Sequence, residues 1–312
     1  MVKKVLYPIL KFGLIGLALY FLIQKLSQVD FSQVELSWGQ DTLIAFIAFV
    51  GLGLINLLLD AKAWQVVQSC LREINLREAI QHNLKCYGLA FISPLNSGEL
   101  VGRYIIQEDP EHRKKALFLT FWTHAPKLFS KAIISFSLFP FLFSQWATPL
   151  KVGSFIIMGL LFILYLQLER WISLLAKYQW GKRHFKDYLI PGQPSIPSKI
   201  EVLGINGLRF LIYSSQLGVV IWGLGISELN LTLVLSLPVY FFVSALIPSY
   251  TGLDFLIKGT LSLYFFELFS DQSFGMAIAT TIVWAFNWAI PALVGLSTLK
   301  KSELARIKSR RD

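Results

Sequence analysis

Ile92-Ser93-Pro94-Leu95-Asn96-Ser97-Gly98-Glu99-Leu100-Val101-Gly102-Arg103 sets a proline, a polar cluster and an acid–base pair inside an apolar region. A second stretch echoes it: Ile247-Pro248-Ser249-Tyr250-Thr251-Gly252-Leu253-Asp254, followed by Lys258-Gly259. In each, a glycine follows the proline by four residues and a base follows the acid by four. Four residues is one helical turn, so Glu99 with Arg103, and Asp254 with Lys258, each share one helix face just past a backbone break. Polar backbone and paired charge at membrane depth line a cavity or lie inside protein rather than face lipid. This pattern points to an all-α, polytopic membrane protein built around two broken helical hairpins.

Composition agrees. The 312 residues are 54% apolar and only 15% charged, and several apolar runs approach the roughly 20 residues that cross a bilayer. A net charge of +10 raises nucleic acid as a partner, but the basic residues gather in short loops and at the tail. That distribution suits the positive-inside rule and anionic lipid headgroups, and no nucleic-acid partner is expected. Cys70 and Cys86 are not at metal spacing and imply no disulfide framework; His82, His112, His124 and His184 form no metal motif. Neither a metal nor another cofactor is expected.

Six full spans are expected, over about residues 5–23, 42–59 or on to 67, 116–143, 152–168, 200–222 and 275–296. The first follows Lys3 and Lys4, has no small-residue cleavage site after it, and so reads as retained rather than as a signal peptide. Pro126 and Pro140 are expected to bend the third. Asp60, Lys62 and Trp64 read as the inner end of the second, and Arg72 to Lys85 as a short interfacial helix. The apolar stretch from about Cys86 to Leu95 then reaches about half of a 30 Å hydrocarbon core. Pro191, Gly192, Pro194 and Pro197 mark a linker-like cytoplasmic loop, and the tail with Lys300, Lys301, Arg306, Lys308, Arg310 and Arg311 also reads as cytoplasmic.

Counting faces, the first hairpin opens to the cytoplasm and the second outward. Span, hairpin, span recurs with opposite orientation, over residues 42–143 and 200–297, with 300–312 as a basic tail of a single integral domain. Inverted repeats whose broken helices meet at the midplane are a transporter plan. Both termini are expected in the cytoplasm, and the membrane is expected to be the bacterial inner (plasma) membrane.

At its two motifs the chain resembles the lysylphosphatidylglycerol synthase transmembrane-region family of flippase-like membrane proteins. Pro94-Leu95-Asn96-Ser97-Gly98-Glu99 with Gly102-Arg103 is similar to the family's Pro-x-x-x-Gly-Glu signature, and Ile247-Pro248-Ser249 with Asp254 and Lys258-Gly259 to its second block. There the family more often carries Glu where this chain has Asp254, and Arg where it has Lys258. The family's Glu-Arg-x-x-Asp on the following span corresponds to Pro126, Lys127 and Ser130, so both acids are missing. By this resemblance the chain is a translocation module for a phospholipid or aminoacylated lipid headgroup. In the bacterial multiple peptide resistance factor, a related region translocates aminoacylated phosphatidylglycerol and a separate soluble domain makes that lipid. This chain ends about fifteen residues after its last expected span, so it is expected to lack such an aminoacyltransferase domain.

The candidate substrate-binding residues are Asn96, Ser97, Gly98, Glu99 and Arg103 at the first motif, Thr251, Gly252, Asp254 and Lys258 at the second, and Lys127 and Lys131 between. The helix starting near Gly98 turns its N-terminal amides to the break, where an anionic phosphate is favoured. Arg103 suits bidentate phosphate recognition, and Glu99 beside it suits a cationic amine. Equally, each acid–base pair can be a structural bond closing a helix end. Lys127 and Lys131, one turn apart on an apolar span, should face a cavity, because lipid-facing lysines are rare. His124, Asn206, Arg209 and Asn287 are polar lining of the same kind; Trp284 and Trp288 read as packing or interface anchors.

Three functions fit: a lipid translocator, a non-catalytic accessory subunit for a lipid- or envelope-modifying partner enzyme, and a membrane-embedded headgroup transferase. The sequence carries no metal-ligand set, Ser/His/Asp arrangement or phosphate loop, so no enzyme is expected and translocation leads. No nucleotide site is expected, which favours ion coupling or facilitated exchange over ATP hydrolysis.

Overall fold

A long apolar segment in lipid has no water to satisfy its peptide groups, so it must close its hydrogen bonds within itself, as a helix does. A computed structural model shows that outcome. It describes residues 39–93, 97–107, 109–143, 147–177, 194–247 and 254–299, besides Gln24, Ser27 and Gln145. Among these residues every regular element is helical. The elements are α1 (Gln40–Gln68), α2 (Leu76–Ile92), α3 (Ser97–Ile106), α4 (Pro110–Leu142), α5 (Thr148–Leu166), α6 (Leu168–Lys177), α7 (Ile196–Gly223), α8 (Leu231–Leu246), α9 (Asp254–Phe266), α10 (Ser273–Trp284) and α11 (Ile290–Ser297). A π turn, Ala285–Ala289, joins the last two.

Four helical stretches are long and apolar enough to cross a membrane: Gln40–Gln68, Glu111–Leu142, Thr148–Leu166 and Ser273–Ser297. They fit an integral membrane protein. The expected fifth span is one helix, α7, but Asn206, Arg209 and Gln216 dilute its apolar content. The expected first span, the linker-like loop's markers Pro191 and Gly192 with the residues before them, and the basic tail lie outside the described residues. Six full spans are therefore not what the described residues display. On α5, Leu150, Phe155, Ile156, Leu160 and Ile163 are exposed, whereas Ser154 and Tyr165 are its buried side chains. A helix with so much apolar surface outward is solvated by lipid rather than by water.

One local reading changes. The expected interfacial helix and the first hairpin limb are one helix, α2, whose 17 residues extend about 26 Å. Its start is fixed at Asn75, whose side chain accepts the Glu78 N–H at 2.8 Å, so the charged residues from Glu78 onward belong to the limb. Pro126 and Pro140 both lie inside α4, which stays helical across them. The last span contains the π turn.

α1 and α7 form the central pair. They run antiparallel: Gly223 meets Ala45, Gln216 Nε2 donates to the Phe49 carbonyl at 3.1 Å, and Arg209 reaches Asn56. Along both helices the interior alternates apolar, polar, apolar. One core gathers Phe49, Phe210, Leu217, Ile221, Tyr240 and Val283; the other gathers Trp64, Val67, Leu119, Trp122 and Val202. Asn56 and Asp60 on α1, and Asn206 and Arg209 on α7, fall between these cores. Around this pair, α2 packs on α1 and α8 on α7; α3 packs on α4 and α9 on α10; α2 packs on α11 and α8 on α4.

The crossing of α2 and α11 is backbone on backbone. A Cβ on Gly295 would overlap the Leu84 carbonyl, and one on Gly88 would stand 2.7 Å from the Leu296 nitrogen. Small residues permit such approach between apolar helices. Gly295→Val should lower the thermal unfolding midpoint in detergent, by a destabilisation of about 1–3 kcal/mol. Gly51→Val, where an added Cβ meets nothing within 4 Å, should leave the midpoint unchanged.

Candidate functional site

The first motif's glycines and charges divide two faces of α3. Gly98 and Gly102, one turn apart, press on α2: a Cβ on Gly98 would overlap the Leu89 carbonyl, and one on Gly102 would stand 2.8 Å from Cys86 Sγ. The Gly98 N–H donates to Ser93 Oγ at 2.6 Å, which holds the start of α3 against the end of α2. Glu99 and Arg103 lie one residue further round and turn inward, 4% and 2% exposed. Ser97 opens α3, while Pro94 to Asn96 lie outside the described residues, as do Thr251 and Gly252 of the second motif.

From this face a chain of polar groups crosses the bundle. His124 Nε2 of α4 lies 3.3 Å from one Glu99 oxygen, and Arg103 Nη2 lies 3.5 Å from the other. Arg103 donates to Asn83 Oδ1 at 2.8 Å and stacks 3.7 Å from the centre of the Trp64 ring. Trp64 is itself fixed by donating its indole N–H to His82 Nδ1 at 3.3 Å. Arg103 Nε and Nη1 are buried and have no hydrogen-bond partner among the described residues; the indole face takes that side of the guanidinium.

Asn83 then donates to Asp60 Oδ2 at 2.8 Å, and the Tyr87 hydroxyl donates to the same oxygen. The other Asp60 oxygen faces Arg209 Nη1 at 2.5 Å and Lys127 Nζ at 3.2 Å. Asp60, only 3% exposed, thus ties α1 to α2, α4 and α7. Arg209 continues to Asn56 Oδ1 at 3.2 Å and Asn206 Oδ1 at 3.1 Å. Asn56 donates to Asn287 at 2.7 Å, and Asn287 to Gln216 at 3.0 Å, so the chain ends on the π turn.

Beside Asp60 lies a cavity of about 120 Å³, lined in part by Asn56, Tyr87, Lys127, Lys131, Arg209 and Asn287. Lys127 and Lys131 face this polar interior as their spacing predicts. The second motif forms its own pair: Lys258 Nζ lies 2.5 Å from Asp254 Oδ2, and the Lys258 carbonyl accepts the Tyr240 hydroxyl at 2.8 Å. The candidate residues therefore fall into two groups, with Glu99, Arg103 and Lys127 in the Asp60 cluster and Asp254 and Lys258 apart from it. Among the described residues no group of three His, Cys, Asp or Glu is placed to hold a metal ion. Outside the helices, burial pushes the Cys70 thiol up from its ordinary value, which disfavours the thiolate.

Asp60 is the residue that sequence reasoning misjudged. It was expected at the inner end of a span over residues 42–59 or on to 67; α1 runs to Gln68 and buries it among charged partners from other helices. A signal was present. Asn56, Asp60 and Trp64 recur every four residues, as do Asn83 and Tyr87, and such stripes in apolar helices mark a shared interior face.

No family model and no curated protein matches the chain.

Removing one member of a buried ion cluster strands the others. Asp60→Asn leaves Arg209 and Lys127 without their carboxylate and should destabilise the protein by about 3–5 kcal/mol, read as a lower unfolding midpoint in detergent. Adding Arg209→Gln to Asp60→Asn should recover part of that loss, because fewer buried charges then lack a partner.

Proposed function

We propose that the protein is a flippase-like translocator of membrane lipids, which recognises a phospholipid or aminoacylated headgroup at the two acid–base motifs. The observation that carries this reading is the polar chain from His124 to Asn287, which crosses an apolar bundle beside a cavity. Charges at the bilayer centre cost roughly 2.5–3.5 kcal/mol each on insertion scales, and such groups mark substrate pathways. On this reading the chain has six spans, belongs with the lysylphosphatidylglycerol synthase transmembrane-region proteins, and sits in the bacterial inner membrane with both termini in the cytoplasm. It performs no covalent chemistry and has no ATP site.

The packing supports an inverted repeat over residues 42–143 and 200–297. Each contact of the first unit has a counterpart in the second: α1 with α2 as α7 with α8, α3 with α4 as α9 with α10, and α8 with α4 as α2 with α11. On this reading the α1–α7 pair is the contact between the two units about which they are related. Two hairpins opening to opposite faces would then present Glu99–Arg103 and Asp254–Lys258 to one path.

A second reading, a non-catalytic subunit that holds a partner enzyme near lipid, draws on one observation. Glu99 is paired with Arg103 and His124, and Asp60 with Arg209 and Lys127, as in dry structural pairs.

Reconstitution separates the two. In proteoliposomes with fluorescent phosphatidylglycerol, dithionite should bleach label beyond the outer-leaflet fraction, and Glu99→Gln and Arg103→Ala should abolish that excess while still inserting. Bleaching that stops at the outer-leaflet fraction for the wild-type protein, with a stable enzyme co-purifying from the native membrane, would remove the translocator reading in favour of the subunit.

A further inference from the structure

We propose that the cavity bounded by α1, α4, α7 and the π turn binds a phosphate monoester, anchored by Lys131. The first ground is charge. Lys127, Lys131 and Arg209 stand in the wall, and Asp60 is the carboxylate that pairs with two of them. That leaves two surplus positive charges. Lys131 makes no ion pair or hydrogen bond among the described residues; its ammonium lies 5.9 Å from the centre of the Phe210 ring. Three like charges in a site of low dielectric constant repel far more than in water, so an occupant that brings negative charge is favoured. A phosphate monoester carries close to two charges at neutral pH, whereas a phosphodiester carries one.

The second ground is shape. A cavity of about 120 Å³ exceeds the roughly 10–15 Å³ that one water needs on the same measure. It takes a tetrahedral oxyanion but not a whole phospholipid, so the rest of any lipid would remain outside. Lysine offers three donors and no acceptor, which suits phosphate oxygens. The third ground is the π turn. It brings Asn287 and Trp288 to the wall, and π turns within helices recur at functional sites.

The identity of the phosphate's carrier rests on the translocator reading; the anion site itself does not. The test is equilibrium dialysis of the purified full-length protein in detergent against radiolabelled sn-glycerol 3-phosphate. Saturable one-to-one binding is expected. Lys131→Gln should weaken it at least tenfold, Lys131→Arg should largely retain it, and Lys62→Gln, an exposed lysine on α1, should not change it. All variants must elute as the wild-type protein does on size exclusion. The diester glycerophosphoglycerol should compete poorly.

Competition by phosphatidic acid in mixed micelles would assign the phosphate to a lipid. Retained glycerol 3-phosphate binding without that competition would assign it to a soluble monoester. Binding equal in wild type and Lys131→Gln, or absent from both, overturns the proposal, and equal competition by the diester overturns the monoester class. Lipid flux that persists without Lys131-dependent binding removes the anion site alone. Lys131-dependent binding without flux removes the translocator reading alone.

Discussion

Everything in this bundle depends on one carboxylate. Asp60 lies between two apolar cores and is met by Arg209, Lys127, Asn83 and Tyr87 from three other helices. An ionised carboxylate accepts at both oxygens and donates nothing, so four donors nearly fill its capacity. Burial without them would be prohibitive, and this is why α1, α2, α4 and α7 must keep their relative positions. The aromatic and aliphatic packing on either side is non-directional and would tolerate some sliding. The polar belt supplies the register.

A protein that needed only stability could replace such a cluster with apolar side chains of similar volume, often at no loss. Retaining it here goes with three other features: a cavity at its side, a lysine without a carboxylate, and a π turn that ends the polar chain. Each departs from what an ordinary apolar bundle requires. Together they motivate the headgroup path proposed above, with the acid–base motif of α3 at one end and the π turn at the other.

Much of the fold was legible in the sequence. Hydropathy marked each of the four long apolar stretches, because a run of Leu, Ile and Phe of that length has one economical conformation in lipid. The ends of α2 at Ile92 and of α8 at Leu246 were legible too, since a proline follows each within two residues. Glu99, Arg103, Lys127 and Lys131 were legible as charges with nowhere in lipid to go. Asp60 was not, because an acid followed by Lys62 and Trp64 also fits a membrane boundary, and only its contacts across the bundle tell the two apart. The continuity of α2 was hidden for a related reason: Arg77 and Lys85 look interfacial, yet Lys85 is 9% exposed. The π turn leaves no mark in hydropathy, since inserting one residue into a helical turn does not change composition.

The most direct measurement is hydroxyl-radical footprinting of the full-length protein in phosphatidylglycerol nanodiscs, read by mass spectrometry at single aromatic side chains. Tyr87 and Trp288 line the cavity beside Asp60, whereas Tyr240 and Trp122 are buried in the two apolar cores. If the polar centre is a wet path for a headgroup, Tyr87 and Trp288 are oxidised well above Tyr240 and Trp122. If all four are equally inert, the Asp60 cluster is a dry structural joint, and the translocation path through it is wrong.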